Sequence, residues 1–94
     1  MLPLISSPQR FELAIEWADR ALHDQLRHVP AMRAKVVALA HLGRLDEARA
    51  ELSRALAIDP KLTIAGFREV VHFAAPEVLE LFVTGLRLAG LPEG

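Results

Sequence analysis

Apolar residues recur every three to four positions along most of this chain, which is the spacing of a helix that buries one face. The clearest example is the segment VPAMRAKVVALAHL, in which Met32, Val36, Leu39 and Ala40 share a face. Pro30 is compatible with this helix because a proline is tolerated in the first turn. The pattern predicts a chain built from helices.

Gly43 and Pro60 enclose a second apolar stripe, in the segment RLDEARAELSRALAID. Gly43 can end the preceding helix in a left-handed conformation at little cost, and Pro60 ends the helix that follows. The inner stripe of that helix consists of Leu45, Ala48, Leu52, Ala55 and Leu56. Because Ala48 and Ala55 are small, we expect neighbouring helices to approach closely there.

The chain resembles itself at an offset of about 34 residues. The matched pairs include Arg10 with Arg44, Ala14 with Ala48, Ala21 with Ala55, Val37 with Val71, Leu45 with Leu79 and Leu52 with Leu86. The same offset holds on both sides of the central unit. It divides one domain, residues 1–94, into an irregular segment 1–9, a half repeat 10–28, a complete repeat 29–62 and a divergent capping repeat 63–94.

Gly43, Ala48, Leu52 and Ala55, followed by the sequence IDP at positions 58–60, resemble the signature of the tetratricopeptide repeat, or TPR. The match covers the central unit. Methionine and leucine replace the usual aromatic residues of its first helix, which suggests looser packing at that crossing. The resemblance implies an all-α fold, a right-handed TPR-like stack of about five helices.

In tetratricopeptide arrays the first helix of each pair lines a concave groove. By this resemblance, the partner groove consists of Arg33, Val37, His41, Phe67, Arg68 and Val71. Such a groove is mainly apolar with a basic rim, and it suits an amphipathic helix or an apolar extended segment. The alternative is that these residues face water or pack on the N-terminal segment MLPLI.

The first repeat has only its second helix, at about residues 10–26, because Pro3 and Pro8 disfavour a regular helix before it. Leu13 and Trp17 in that helix lack one neighbour and are candidate residues for self-association. Three explanations stay open: the chain is part of a longer array, the MLPLI segment folds back, or a second molecule covers the gap. Stacked repeats need about three units or capping ends, which favours a longer parent chain or intermolecular cover.

The last third of the chain carries a second resemblance. The ending GLRLAGLPEG, after the segment LTIAGFRE, is similar to the repeat tails that follow nucleotide-cyclase or winged-helix domains in some bacterial regulators. The resemblance implies an alternative function, as a structural oligomerisation or regulatory tail of a larger bacterial signalling protein.

Composition limits the kinds of partner. The chain has 11 basic and 12 acidic residues and a net charge of −1, so no strong field attracts nucleic acid or an anionic membrane. It has no cysteine, which excludes disulfides and favours a cytoplasmic location. No stretch approaches the roughly 18 apolar residues of a membrane span. Hydrophobic residues make up 52% of the chain, so we expect a partner or a second copy to cover part of its surface.

The sequence offers no catalytic constellation. Its four histidines do not converge on a helix face, and no serine or threonine has the setting of a nucleophile. We therefore expect no enzyme activity, no cofactor and no metal. The expected function is a protein-interaction scaffold that binds a protein or peptide, or that forms a homodimer.

Overall fold

The computed structural model describes residues 8–71 and 75–94, and these form an all-α fold. The five helices in this part of the chain are α1 (Pro8–Asp24), α2 (Val29–His41), α3 (Leu45–Ile58), α4 (Ile64–Val70) and α5 (Pro76–Ala89). The prediction of an all-helical chain with about five helices is confirmed. The proposed fold-back of MLPLI concerns residues outside the described ranges.

The helix ends follow the glycine and proline positions. Gly43 follows α2 with φ of +83°, and Gly90 ends α5 with φ of +101°, both in the left-handed region that favours glycine. Pro76 is the first residue of α5. Pro8 likewise opens α1, which begins earlier than the predicted start near Arg10, because the first N–H of a helix has no intrahelical acceptor to lose.

Helix α2 lies at the centre of the molecule, with α1, α3 and α5 packed along it. This explains why its segment is apolar on nearly every side: five consecutive residues, 36–40, are buried. The small residues of α3 behave as predicted, since Ala48 and Ala55 are both completely buried. The larger side chains that fill the core include Val36, Leu39, Leu52, Ile64, Val83 and Leu86.

Gly85 allows α5 to approach α2 closely. A Cβ atom at this position would lie 2.9 Å from the Cα atom of Val37 and 3.0 Å from its Cγ1 atom. Such distances are shorter than real Cβ contacts, so only glycine fits this crossing without a shift of the backbone. Gly85 therefore sets the separation between the two helices.

A network of charged side chains around a buried carboxylate links three helices. Glu51 on α3 is only 3% exposed, and its Oε1 atom lies 3.1 Å from Nη1 of Arg54 and 3.9 Å from Nζ of Lys35. Lys35 on α2 also forms an ion pair of 2.8 Å with Asp19 on α1. A buried charge is costly unless it is paired, and these two cations supply the pairing.

Helix α4 is short and is held by the C-terminal segment. The N–H groups of Ile64 and Ala65 donate to the carbonyl oxygens of Pro92 and Glu93, both at 2.8 Å. The hydroxyl oxygen of Thr63 accepts a bond of 3.0 Å from the N–H of Gly66. These contacts satisfy donors in the first turn of α4, which no carbonyl inside the helix can reach. Residues 91–94 therefore support α4 from its N-terminal end.

Candidate functional site

A continuous apolar depression runs along α2 between α1 on one side and α5 with α4 on the other. It consists of three adjoining cavities of about 340, 260 and 230 Å³. The first two share Ala14 and Ala34, and the second and third share Val78 and Phe82. We call this surface the α2 trough.

The trough is formed by α1, α2, α4 and α5. The floor comes from α2, with Pro30, Ala34 and Val37 as its main residues. The α1 wall contains Arg10, Ala14, Trp17 and Ala21. The opposite wall contains Val78, Leu81 and Phe82 from α5, with Phe67 and Val71 beside them. The lining is thus built from residues far apart in the sequence, which only the tertiary fold brings together.

Arg33 marks one end of the trough. Its guanidinium carbon lies 5.3 Å from the centre of the Phe67 ring, and Phe67 stacks on Phe82 with ring centres 5.9 Å apart. Burial lowers the pKa of Arg33, while the attraction of Asp59 acts in the opposite direction. The arginine therefore carries its charge at a half-buried, aromatic site, where attraction to an anion is stronger than in open solvent.

His41 closes the other end. Its Nε2 atom donates a hydrogen bond of 2.7 Å to the carbonyl oxygen of Leu81 on α5. Its ring also stacks on Phe11 of α1, with centres 5.0 Å apart and planes inclined by 10°. One side chain of α2 thus contacts both walls of the trough.

The six residues predicted for the partner groove do not all face open space. Val37 is 3% exposed and Phe67 is 6% exposed, because α5 covers the side of α2 that was expected to be an open groove. Arg33, Phe67 and Val71 do line one common cavity, and Val37 lies at the floor of the next. These residues thus form part of the covered floor and wall of the trough. The expectation that Val37 faces a partner directly is wrong.

His41 and Arg68 serve other contacts. His41 is hydrogen-bonded to α5 and stacks on α1, as described above. Arg68 forms an ion pair of 2.7 Å with Glu80 on α5, which raises the pKa of the arginine and lowers that of the carboxyl group. Neither residue lines the three cavities. Both hold α5 in place, so their contribution to the trough is structural.

The two residues predicted for self-association are exposed. Trp17 has 70% of its surface in contact with solvent and Leu13 has 47%. They lie one turn apart on α1, and Trp17 stands at the rim of the trough. This exposure agrees with the expectation for α1, and a role of the two residues in self-association stays a prediction.

Sequence reasoning missed Ala34 and the α5 wall, which are central to the trough. The α5 wall could have been suspected from Gly85, because a glycine inside an apolar helical pattern often marks a close approach of another backbone. Ala34 has no such signal. Ala34 is the residue after Arg33 in α2, and only the location of α1 shows that it faces a cavity.

A wider depression of about 670 Å³ lies over the loop between α1 and α2. Its lining is the consecutive run of residues 24–30, so it brings together no distant groups. Within residues 8–71 and 75–94 there is no cluster of three or more metal-binding side chains. None of the helices described there is long and apolar enough to cross a membrane.

Comparison with known proteins gives a partial similarity. Two curated proteins named FK506-binding protein-like, from Rattus norvegicus and from Homo sapiens, are each 43% identical to this chain over 58 residues. The similar region is 62% of this chain and 16% of each relative. No protein-family model matches the chain, and no solved structure matches it. The chain thus resembles a minor part of these two relatives, and the tetratricopeptide resemblance stays a prediction.

Proposed function

We propose that this chain is a non-catalytic protein-interaction scaffold that binds a helix or peptide of a partner protein in the α2 trough. The observation that carries the proposal is the trough itself, a continuous apolar surface between two helical walls. Apolar depressions of this shape bind amphipathic segments by burying their apolar side chains.

The proposal is consistent with the tetratricopeptide resemblance, in which paired helices present a groove to a partner. A right-handed TPR-like stack is part of the proposal, as is a cytoplasmic location. The two relatives are named FK506-binding protein-like, and the region similar to this chain covers only 16% of their length. The proposed function therefore does not depend on that name.

Ala34→Arg tests the trough. The larger charged side chain would fill the region where two cavities meet, and we expect the affinity for a trough-binding partner to fall at least about tenfold. Ala50→Arg is the matched control, because Ala50 is exposed on α3, away from the trough. A partner would first be isolated by affinity capture on the wild-type chain, and its purified form would then be titrated with all three proteins. Equal affinity for Ala34→Arg and Ala50→Arg would contradict the proposal.

Self-association is a second candidate function, and the exposure of Leu13 and Trp17 favours it. A tryptophan that leaves most of its surface in water is unusual in a monomer and common at the centre of an interface. The oligomerisation tail of a larger bacterial signalling protein would be a special case of this function.

Trp17→Ala tests self-association. If α1 forms a contact between copies, sedimentation over a wide concentration range should show a wild-type dimer, and the variant should dissociate at concentrations at least about tenfold higher. Leu26→Ala is the control, because Leu26 is 77% exposed in the loop after α1. A wild-type chain that stays monomeric at all concentrations would remove this candidate.

A further inference from the structure

The charged residues of the α2 trough are all of one sign. The chain as a whole is nearly balanced, with 11 basic and 12 acidic residues. Nevertheless, the three cavities are lined by Arg10 and Arg33 and by no aspartate or glutamate. Neither arginine forms an ion pair with another residue in the described ranges, although six other basic residues do.

The lack of ion pairs at Arg10 and Arg33 contrasts with three close arginine–glutamate ion pairs elsewhere on the surface. Arg44 pairs with Glu47, Arg68 with Glu80 and Arg87 with Glu93, all at 2.6 to 2.7 Å. Those pairs lie outside the trough and their charges are already compensated. Arg10 and Arg33, like several basic residues outside the trough, belong to no ion pair within the described ranges, although Asp59 attracts Arg33. Both can therefore meet an incoming carboxylate.

The backbone chemistry of the trough selects the conformation of the occupant. Its walls are side chains of helices, whose main-chain N–H and C=O groups are already used within those helices. An extended peptide laid in the trough would find no main-chain partners there, and those of its N–H and C=O groups that face the apolar side chains would stay unpaired at considerable cost. A helix satisfies these groups internally and can bury its apolar stripe without that cost.

We propose that the occupant of the α2 trough is an amphipathic helix of a partner protein, with acidic residues beside its apolar stripe. Its apolar side chains cover Ala14, Ala34 and Phe82, and its carboxylates meet Arg10 and Arg33. This inference rests on the proposed function and adds the class of ligand. A basic amphipathic helix is disfavoured, because its cations would be desolvated beside the two arginines.

The half-buried position of Arg33 strengthens this selectivity. An exposed ion pair contributes little, whereas one at a partly desolvated site is screened less by salt and depends more on geometry. The planar guanidinium can also accept a carboxylate in two parallel hydrogen bonds. We therefore place the stronger charge selection at Arg33 and a weaker contribution at the exposed Arg10.

The test uses two synthetic helices of about four turns. One has leucines along a single stripe with glutamates on both edges, and the other has lysine at every glutamate position. Trp17 is the only tryptophan of the chain and stands at the rim of the trough, so its fluorescence reports occupancy directly. We expect the glutamate helix to bind the wild-type chain at least about tenfold more tightly than the lysine helix at low salt.

Charge reversal provides the decisive comparison. Arg33→Glu should reduce the preference for the glutamate helix or invert it, and Arg10→Glu should do so to a smaller extent. Arg10 is exposed and outside the core, so this second variant keeps the test valid if Arg33→Glu disturbs folding. Arg49→Glu, an exposed arginine on α3, is the matched control and should leave the preference unchanged.

The outcomes separate the two proposals. Equal affinity of both helices for the wild-type chain would overturn the acidic ligand class and leave the scaffold function standing. Binding of neither helix at millimolar concentration would overturn both. If the wild-type chain is a dimer that Ala34→Arg dissociates, the occupant of the trough is a second copy. If the glutamate helix binds tightly only after residues 1–7 are deleted, the occupant is the chain's own N-terminal segment. Either result would overturn the proposal.

Discussion

Replacing Gly85 with valine is expected to destabilise the fold by about 3 kcal/mol, at the upper end of the usual cost of overpacking. The reason is that the new Cβ atom would lie 2.9 Å from the Cα atom of Val37, which belongs to the backbone of the central helix. A flexible side chain could move away, but a main-chain atom in α2 can yield only if one of the two helices is displaced. Valine also has a lower helix propensity than most residues, which adds a smaller cost.

Urea unfolding followed by circular dichroism would measure this effect, with Thr84→Val as the matched control. Thr84 is the neighbouring residue on α5 and is exposed, so the same β-branched side chain there should change stability by less than about 0.5 kcal/mol. Gly85→Ala gives an intermediate case, because the gain in helix propensity of about 1 kcal/mol opposes the steric clash. If Gly85→Val were as stable as Thr84→Val, the close approach of α5 to α2 would be refuted.

The second large effect is expected at Ala48, where leucine should cost about 1 to 3 kcal/mol by overpacking. Ala48 is completely buried on α3, facing the central helix, and it belongs to the same core as Val36 and Leu39. Because Ala48 has no exposed surface, the additional carbons would displace neighbouring core atoms, and we expect α3 to shift away from α2. That shift would also strain the pairing of Glu51 with Lys35.

Ala50→Leu is the matched control for this prediction, since Ala50 is exposed on the same helix and tolerates a larger side chain. Thermal unfolding would show a difference of about 4 to 8 °C in Tm for each kcal/mol in a domain of this size. An unchanged Tm for Ala48→Leu would indicate that α3 packs more loosely than its burial implies.

Local signals made the helices predictable from the sequence. The periodicity of VPAMRAKVVALAHL and the positions of Gly43, Pro76 and Gly90 determine where α2 and α5 begin or end, because these signals act within a single turn. The same local reasoning identified Ala48 and Ala55 as sites of close packing. In both cases the deciding physics lies within a few residues of the position concerned.

The trough was less predictable, because it depends on which helix covers α2. The predicted groove combined residues of α2 with residues of the segment that forms α4, but α4 has only seven residues and the longer α5 packs along α2. Val70 is the last residue of α4 and Val71 follows it, and both are β-branched residues with low helix propensity. Choosing between α4 and α5 requires knowledge of a contact between Gly85 and Val37, which are far apart in the sequence.

The contact of His41 with both walls has a consequence for the sizes of ligand that the trough can accept. The hydrogen bond to Leu81 and the stacking on Phe11 link α1 and α5 through one side chain at that end. We expect these two contacts to keep the walls at a set distance beside His41. We therefore expect a bound helix to place small side chains beside His41, which would give the ligand a preferred direction as well as a composition.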